Sequence, residues 1–194
     1  MKLSDVDIEK KIAAGEIGIS PAIAEGQRGS MSVDLRLGKR FGVFRHIASP
    51  YIDLGNDTSA FSMSDSLMDE VELEEGEAFF LNPGELALGI TVERITLPAD
   101  IVGWVDGRSS LARVGLLVHI TAHTIDPGWD GRITLEFANI GRYPLALRPG
   151  MRICAISFEP LTSPTSRPYV QKKGAKYGLQ DGPVPSRIGR DEQS

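Results

Sequence analysis

The stretch from Trp104 to Phe137, WVDGRSSLARVGLLVHITAHTIDPGWDGRITLEF, combines short apolar runs with tight turns and charged side chains. Its last part, from Arg132 onward, alternates polar and apolar residues, which is typical of a strand with one buried face. Similar short runs recur along the chain, which also contains 21 glycines and 12 prolines. This pattern predicts a mainly β fold, either a sandwich or a distorted barrel.

A candidate anion site lies near the start of this stretch. Ser109 and Ser110 stand where a short helix would begin, and Gly115 is placed to end it. The free N–H groups at a helix start attract anions. Arg108 and Arg113 add positive charge and a fork geometry that suits phosphate. The alternative is a structural serine cap beside two solvated arginines.

A candidate catalytic carboxylate lies near the end of the same stretch. Alternation places Glu136 on one face of the strand with Arg132 and Thr134, opposite the apolar face. A strand glutamate that points away from the core is usually solvated. Its proximity in sequence to the serine turn favours a role in a site.

The segment Asp126-Pro127-Gly128 predicts a type II turn, because proline and glycine occupy its two central positions. Asp126 has two interpretations. Its side chain could cap the turn through its own backbone, or it could contact a ligand.

The run from Leu116 to Ile125 is predicted to be a strand, and it carries two histidines, His119 and His123, that are four residues apart and would lie on one side of it. A zinc site requires more ligands than this pair. The zinc deaminases use an H-x-E and P-C-x-x-C arrangement, which a chain with Cys154 as its one cysteine cannot form. We therefore interpret both histidines as internal groups with satisfied hydrogen bonds.

The composition is that of one ordinary globular domain. The chain has 194 residues, of which 41% are hydrophobic and 24% are charged. A net charge of −5 argues against a general nucleic-acid surface. The sequence lacks a long apolar run and a signal-peptide pattern, which indicates no membrane association and a cytoplasmic location. We expect a single β domain over residues 1–161 and a polar C-terminal segment over residues 162–194.

Three other segments have structural interpretations. Ser4 is a good cap for an N-terminal helix that Gly15 would end. Asp34 lies in an alternating strand, and we interpret it as structural and not as catalytic. The acidic, serine-rich stretch 56–70 is predicted to be a surface excursion without an assigned function.

The runs GRSSLAR (107–113), VHITAHTIDPGW (118–129) and TLEF (134–137) together resemble the dCTP deaminases. These enzymes belong to the superfamily that also contains the trimeric dUTPases. The resemblance extends from KLSDVDIE near the start of the chain to AKYGLQDG near its end. It implies a dUTPase-like distorted jelly roll, a homotrimer with sites between subunits, and a C-terminal segment that closes over the nucleotide.

The resemblance also implies a role for each site residue. Glu136 would be the catalytic carboxylate. Arg113 would hold the water or orient Glu136, and Ser109 would fix the pyrimidine and the water. Asp126 would accept a hydrogen bond from the 3′-hydroxyl of the deoxyribose. Arg108, Ser110, Lys176 and Gln180 would hold the triphosphate, whose Mg²⁺ ion would belong to the substrate. The implied nucleotide contacts are Arg108, Ser109, Ser110, Leu111, Ala112, Arg113, Ala122, Asp126, Thr134, Leu135, Glu136, Tyr169, Lys176 and Gln180.

The activity implied by the resemblance is the hydrolytic deamination of dCTP to dUTP and ammonia without a catalytic metal. This reaction would feed the synthesis of dUMP and dTTP, and dTTP is a candidate inhibitor. One alternative is a dUTPase, or a bifunctional enzyme that makes dUMP and diphosphate directly with water held by Asp34 or Asp126. The segment YGLQDGPVPSR, in place of a glycine-rich C-terminal motif, argues against a plain dUTPase. The other alternative is a regulatory module that binds nucleotide without turnover.

Overall fold

The computed structural model describes residues 1–45 and 67–187. Within these ranges the protein is mainly β, as the sequence predicts. The strands are β1 (Gly18–Ser20), β2 (Val33–Phe44), β3 (Met68–Glu72), β4 (Phe79–Leu81), β5 (Leu86–Thr96), β6 (Ile101–Gly107), β7 (Leu116–Leu117), β8 (Thr124–Ile125), β9 (Asp130–Asn139), β10 (Leu145–Leu147) and β11 (Arg152–Pro160). The α-helices are α1 (Asp5–Ala13) and α2 (Ser109–Ala112), and short 3-10 helices cover Glu25–Gln27 and Tyr169–Gln171.

Most of the strands form one curled antiparallel sheet. Its order is β7-β9-β5-β2-β11-β6-β8, with β1 added beside β5 and β3 added beside β2. The pair β10–β4 forms a separate small ribbon. In the main sheet, β9 lies between β7 and β5, so Glu136 projects from a strand that is supported on both sides.

The N-terminal helix forms as predicted. Ser4 caps α1, because its hydroxyl accepts a hydrogen bond from the backbone N–H of Asp7. Ile8 is buried, and Gly15 follows the helix with φ of 72°. Among the described residues, neither helix is long and apolar enough to cross a membrane.

The core fills the inside of the curled sheet, and β9 shows how alternation produces it. Ile133, Leu135 and Phe137 are buried, while the residues between them are only partly covered. The Phe137 ring lies against Gly89, where a Cβ atom would be 2.3 Å from a ring carbon. Only glycine therefore fits at position 89, and burial of a ring of this size contributes roughly 1.5–3 kcal/mol.

A buried carboxylate connects β5 to β2. Glu93 is fully buried and accepts hydrogen bonds from Arg36 Nε at 2.7 Å, from the Arg36 backbone N–H at 2.8 Å and from Gln27 Nε2 at 3.0 Å. A buried charge is tolerated when it is paired and its lone pairs are satisfied. These bonds fix the relative position of the two strands.

Two details of the predicted fold were wrong. The run from Leu116 to Ile125 is not one strand, because β7 pairs with β9 whereas β8 pairs with β6, and residues 118–123 between them are irregular. The excursion predicted over 56–70 ends earlier than expected, since Met68 already pairs with β2. The rest of that prediction lies outside the described residues.

Candidate active site

A cavity of about 430 Å³ opens between the turn that precedes β9 and the C-terminal segment. A volume of this size suits a small organic ligand. Six of the predicted site residues line it: Ala122, Asp126, Thr134, Glu136, Tyr169 and Gln180. The structure therefore brings together residues that are far apart in sequence.

Glu136 forms part of the cavity wall and is held in place from one side. Its Oε2 accepts a hydrogen bond from the backbone N–H of Ile120 at 3.1 Å. Its own N–H donates to the carbonyl oxygen of Val118 at 3.1 Å. Because this connection uses one lone pair, the carboxylate has a fixed orientation and keeps acceptor capacity toward the cavity.

The predicted type II turn is present beside the cavity. The N–H of Trp129 donates to the carbonyl oxygen of Asp126 at 3.1 Å, and Gly128 has φ of 78°. In the described part of the chain, no N–H of this turn donates to the Asp126 carboxylate. The capping interpretation of Asp126 is therefore not supported, and its exposed side chain lines the cavity.

The C-terminal segment is packed against this turn. The N–H of Tyr169 donates to the carbonyl oxygen of Pro127 at 2.9 Å, and the Tyr169 ring lies 5.1 Å from that of Trp129. The Tyr169 hydroxyl accepts from the N–H of Tyr177 at 3.1 Å. Burial raises the pKa of the Tyr169 phenol, so it stays neutral and can donate its proton to a ligand. The segment forms one wall of the cavity.

We expect Gly128→Ala to weaken this packing. A Cβ atom at Gly128 would lie 2.4 Å from Pro168 Cβ, at a φ that alanine rarely adopts. The expected loss of unfolding free energy is about 1–3 kcal/mol, measured by urea denaturation. Limited trypsin digestion should also cut faster after Lys172 and Lys173 than in the wild type.

Gly76→Ala is the matched control for this change. Gly76 has a similar φ of 85°, but nothing lies within 4 Å of a Cβ atom built there. Gly76→Ala should therefore lose stability because alanine disfavours this φ, but it should not loosen the C-terminal segment. Equal digestion rates for the two variants would contradict the assigned role of Gly128.

Gln180 is held by the peptide of a neighbouring strand. Its Nε2 donates to the carbonyl oxygen of Arg132 at 2.9 Å, and the N–H of Arg132 donates back to the Gln180 carbonyl at 3.0 Å. Gln180 is 8% exposed, and its Oε1 has no partner among the described residues. Thr134 Oγ1 is likewise buried without a partner. Such atoms in a cavity wall indicate places where a ligand supplies the missing hydrogen bonds.

The carboxamide of Gln180 keeps hydrogen-bonding capacity on both of its ends. Arg132 takes one of the two amide N–H groups, so one N–H donor and the unpartnered Oε1 acceptor remain. The donor suits a phosphate oxygen and the acceptor suits an amino or hydroxyl group, so the contact with the triphosphate stays a prediction. Lys176, the other predicted phosphate contact of this segment, is partly buried and is not among the residues that line the cavity.

Leu135 is also placed differently from the prediction. Its side chain is 1% exposed and lies in the hydrophobic core, on the face of β9 away from Glu136. Only its backbone could contact a ligand. Because successive side chains of a strand point to opposite faces, the pattern that turns Glu136 toward the cavity turns Leu135 into the core.

The serine turn lies apart from this cavity. Helix α2 begins at Ser109 after Arg108, and no side chain caps it, so the alternative interpretation of a structural serine cap is not supported. Gly115 ends the turn with φ of 96°, as predicted. Of the described residues that line the cavity, none belongs to the predicted set Arg108, Ser109, Ser110, Leu111, Ala112 and Arg113. Most of these side chains are exposed instead.

Asp34 holds the arginine of this turn. Its carboxylate lies 3.3 Å from Arg108 Nη2 and 3.2 Å from Arg152 Nη1. Arg108 Nη1 also donates to the carbonyl oxygen of Arg152 at 3.2 Å. The structural interpretation of Asp34 is consistent with these ion pairs, which fix the Arg108 guanidinium near the surface.

The two histidines lie in the irregular segment that carries the Ile120 N–H. Their rings are 5.4 Å apart, and the His123 ring is 5.4 Å from that of Trp104. His119 Nδ1 is buried without a hydrogen-bond partner among the described residues. The prediction that both histidines are fully satisfied was therefore wrong for His119.

Several cavity residues were not predicted. Trp129 and Tyr177 add aromatic surface, and Phe44, Met68 and Leu88 add an apolar wall. The two aromatic side chains occur inside segments that were recognised for their polar residues. An aromatic ring next to a turn or within a polar tail is the signal that could have identified them.

The chain is similar to known proteins over its whole length. A model of the dCTP deaminase-like family matches residues 2–161. A dCTP deaminase from Rhodospirillum rubrum is 57% identical over 201 residues, with 100% of both chains covered. A dCTP deaminase from Aeromonas salmonicida is 53% identical over 193 residues, covering 98% of this chain and 100% of the relative.

One solved structure supports the fold. It is a 2′-deoxycytidine 5′-triphosphate deaminase from Agrobacterium tumefaciens, with a TM-score of 0.62 and 23% sequence identity. The alignment covers 81% of this chain and 47% of that one, so this chain spans about half its length.

Proposed function

Since the chain belongs to the dCTP deaminase-like family, we propose that it converts dCTP and water into dUTP and ammonia. The observation that carries the proposal is the position of Glu136, a tethered carboxylate in the wall of a cavity of nucleoside size. The identity of 53–57% with dCTP deaminases over the full length of the chain supports the choice of substrate.

The chemistry of cytosine determines what the site must do. Water adds to ring carbon C4, the neighbouring N3 gains a proton, and the C4–N4 bond breaks to release ammonia. Neutral water is a poor nucleophile, so a base must remove its proton as the C–O bond forms. The leaving amine must also receive a proton.

Glu136 can perform both proton transfers in sequence. Its carboxylate takes one proton from the attacking water and delivers it to N3, and it then takes the proton of the new C4 hydroxyl and delivers it to the departing amine as the C4=O bond forms. The Ile120 N–H fixes the carboxylate during both steps. General acid–base assistance of this kind contributes about 10²–10⁴-fold, and positioning and electrostatics supply the rest.

The deoxyribose would lie at the turn before β9. Asp126 presents an exposed carboxylate at the cavity edge, where it can accept a hydrogen bond from the 3′-hydroxyl. The Tyr169 ring packs against Trp129 and also lines the cavity. The unpartnered oxygens of Thr134 and Gln180 would accept or share hydrogen bonds with the nucleoside.

The serine turn would act from a second copy of the chain. Residues 108–113 do not line the cavity of their own chain, yet their exposed side chains suit a triphosphate and a reacting water. A cyclic homotrimer would bring this turn to the neighbour's cavity. Arg113 and Ser109 would then orient the water and Glu136, and Arg108 and Ser110 would bind phosphates.

A Mg²⁺ ion would accompany the triphosphate. Its charge would offset that of the phosphates while the substrate binds. We assign the ion to the substrate, with Lys176 as an additional phosphate contact once the C-terminal segment is in place.

The direct test is product analysis after incubation with dCTP and Mg²⁺. Ammonia is measured enzymatically, while dUTP, dUMP and diphosphate are separated by ion exchange. We expect equal amounts of ammonia and dUTP. Release of dUMP and diphosphate without free dUTP would overturn the proposal in favour of a bifunctional enzyme, and nucleotide binding without ammonia would overturn it in favour of a regulatory module.

A further inference from the structure

Asp181 connects the C-terminal segment to two strands of the sheet. Arg132 Nε donates to Asp181 Oδ1 at 2.6 Å, and Arg40 Nη2 lies 3.5 Å from Oδ2. Arg132 belongs to β9 and Arg40 to β2. The bond from Arg132 and the nearby charges hold the pKa of the Asp181 carboxyl below its usual range. We name Asp181, Arg132 and Arg40 the Asp181 cluster.

The backbone next to this cluster is hydrogen-bonded to the start of β9. The N–H of Leu179 donates to the carbonyl oxygen of Asp130 at 2.8 Å. One residue later, Gln180 exchanges backbone and side-chain bonds with Arg132. The depth of Gln180 in the cavity therefore depends on the register of residues 179–181 along β9.

This register includes an unfavourable backbone conformation. Leu179 has φ of 61°, in the left-handed region that a leucine rarely adopts. Its side chain is 63% exposed and gains little from packing. The conformation must therefore be held by the contacts on either side, namely the bond to Asp130 and the Asp181 cluster.

The chain also passes close to Arg40 after Asp181. A Cβ atom at Gly182 would lie 3.1 Å from Arg40 Nη1, so the backbone rests against the guanidinium. Arg40 has a second partner, Glu70 on β3, at 3.6 Å. Glu70 belongs to the sheet, and this pair anchors Arg40 independently of the C-terminal segment.

We propose that Asp181 is a positioning residue for the proposed reaction. Its ion pairs with Arg132 and Arg40 hold residues 179–182 on β9, and this keeps the Gln180 carboxamide in the cavity with its acceptor oxygen available to the nucleotide. The expected effects on KM and kcat rest on the proposed function. Its structural basis, the register of residues 179–181, is independent of the substrate.

The test is Asp181→Asn, which preserves size and removes the charge. Loss of an exposed ion pair next to the site should raise the KM for dCTP about fivefold, with kcat changed less than about twofold. The wild-type KM should also rise with added NaCl as the ion pairs are screened, whereas the KM of the variant should respond less. A loss of global stability alone would not produce this split between KM and kcat.

Two further variants complete the test. Glu70→Gln removes the other partner of Arg40 and should leave KM unchanged. Asp181→Glu keeps the charge and should recover most of the wild-type KM. An unchanged KM in Asp181→Asn, or an equal rise in Glu70→Gln, would overturn the proposal.

Amide hydrogen exchange separates this proposal from the deaminase proposal. The N–H groups of Leu179 and Arg132 should exchange faster in Asp181→Asn than in the wild type, whether or not dCTP is turned over. Unchanged exchange at both amides would refute the positioning role. A wild-type protein that releases no ammonia would refute the proposed function, and the exchange result would still decide the role of Asp181.

Discussion

Glu136→Gln is expected to reduce ammonia release from dCTP by about 10²–10⁴-fold while dCTP binding is retained. The carboxamide has the same shape as the carboxylate, and its oxygen can still accept the hydrogen bond from the Ile120 N–H. It cannot accept a proton from water at neutral pH. The loss should therefore appear in kcat, measured by ammonia release, and not in the dissociation constant, measured by calorimetry.

A second glutamate provides the control for this variant. Glu85 accepts hydrogen bonds from Asn82 in a turn outside the cavity, and these bonds lower the pKa of its carboxyl. Glu85→Gln should leave both turnover and binding close to wild type. Glu136→Gln with wild-type turnover would remove Glu136 from the mechanism, and weak dCTP binding by this variant would show that its carboxylate acts in binding.

Mixing two inactive variants is expected to restore activity. Arg113→Gln alone should lose roughly 10²-fold or more of the wild-type kcat, since it removes a donor near the reacting water. If each site combines Glu136 of one chain with Arg113 of a neighbour, some mixed trimers contain intact sites. For random assembly from equal amounts, about a quarter of all sites pair two intact residues, and in the purified mixed trimers the fraction is about one third.

The measurement requires co-expression of the two variants with different tags and purification of the mixed species. Light scattering gives the number of chains per particle, and ammonia release gives the recovered activity. A mixture that stays as inactive as its components, although the chains are assembled together, would place Glu136 and Arg113 in the site of a single chain.

The strands that alternate in sequence were the most predictable part of the fold. The pattern around Ile133, Leu135 and Phe137 correctly gave the buried face of β9 and the outward direction of Glu136. The division of the run from Leu116 to Ile125 was not predictable, because its two ends pair with different strands. Local sequence contains no information about a partner that is distant along the chain.

The candidate site also has features that the sequence predicts and features that it does not. The turn at Asp126 could be predicted because proline and glycine specify its backbone locally. The position of Gln180 could not, since its backbone and its side chain are held by the Arg132 peptide, which is distant in sequence. The separation of the serine turn from the cavity also depends on tertiary structure. It could not be predicted from the short distance in sequence between this turn and Glu136.

The aromatic packing at the C-terminal segment has an experimental use. Trp129 is one of two tryptophans in the chain, is almost completely buried, and lies against both the cavity and the Tyr169 ring. Its indole emission should shift to longer wavelength when that ring moves away and water enters. Intrinsic fluorescence, with Trp104→Phe to remove the second emitter, can therefore report without a label whether the C-terminal segment moves away from the cavity.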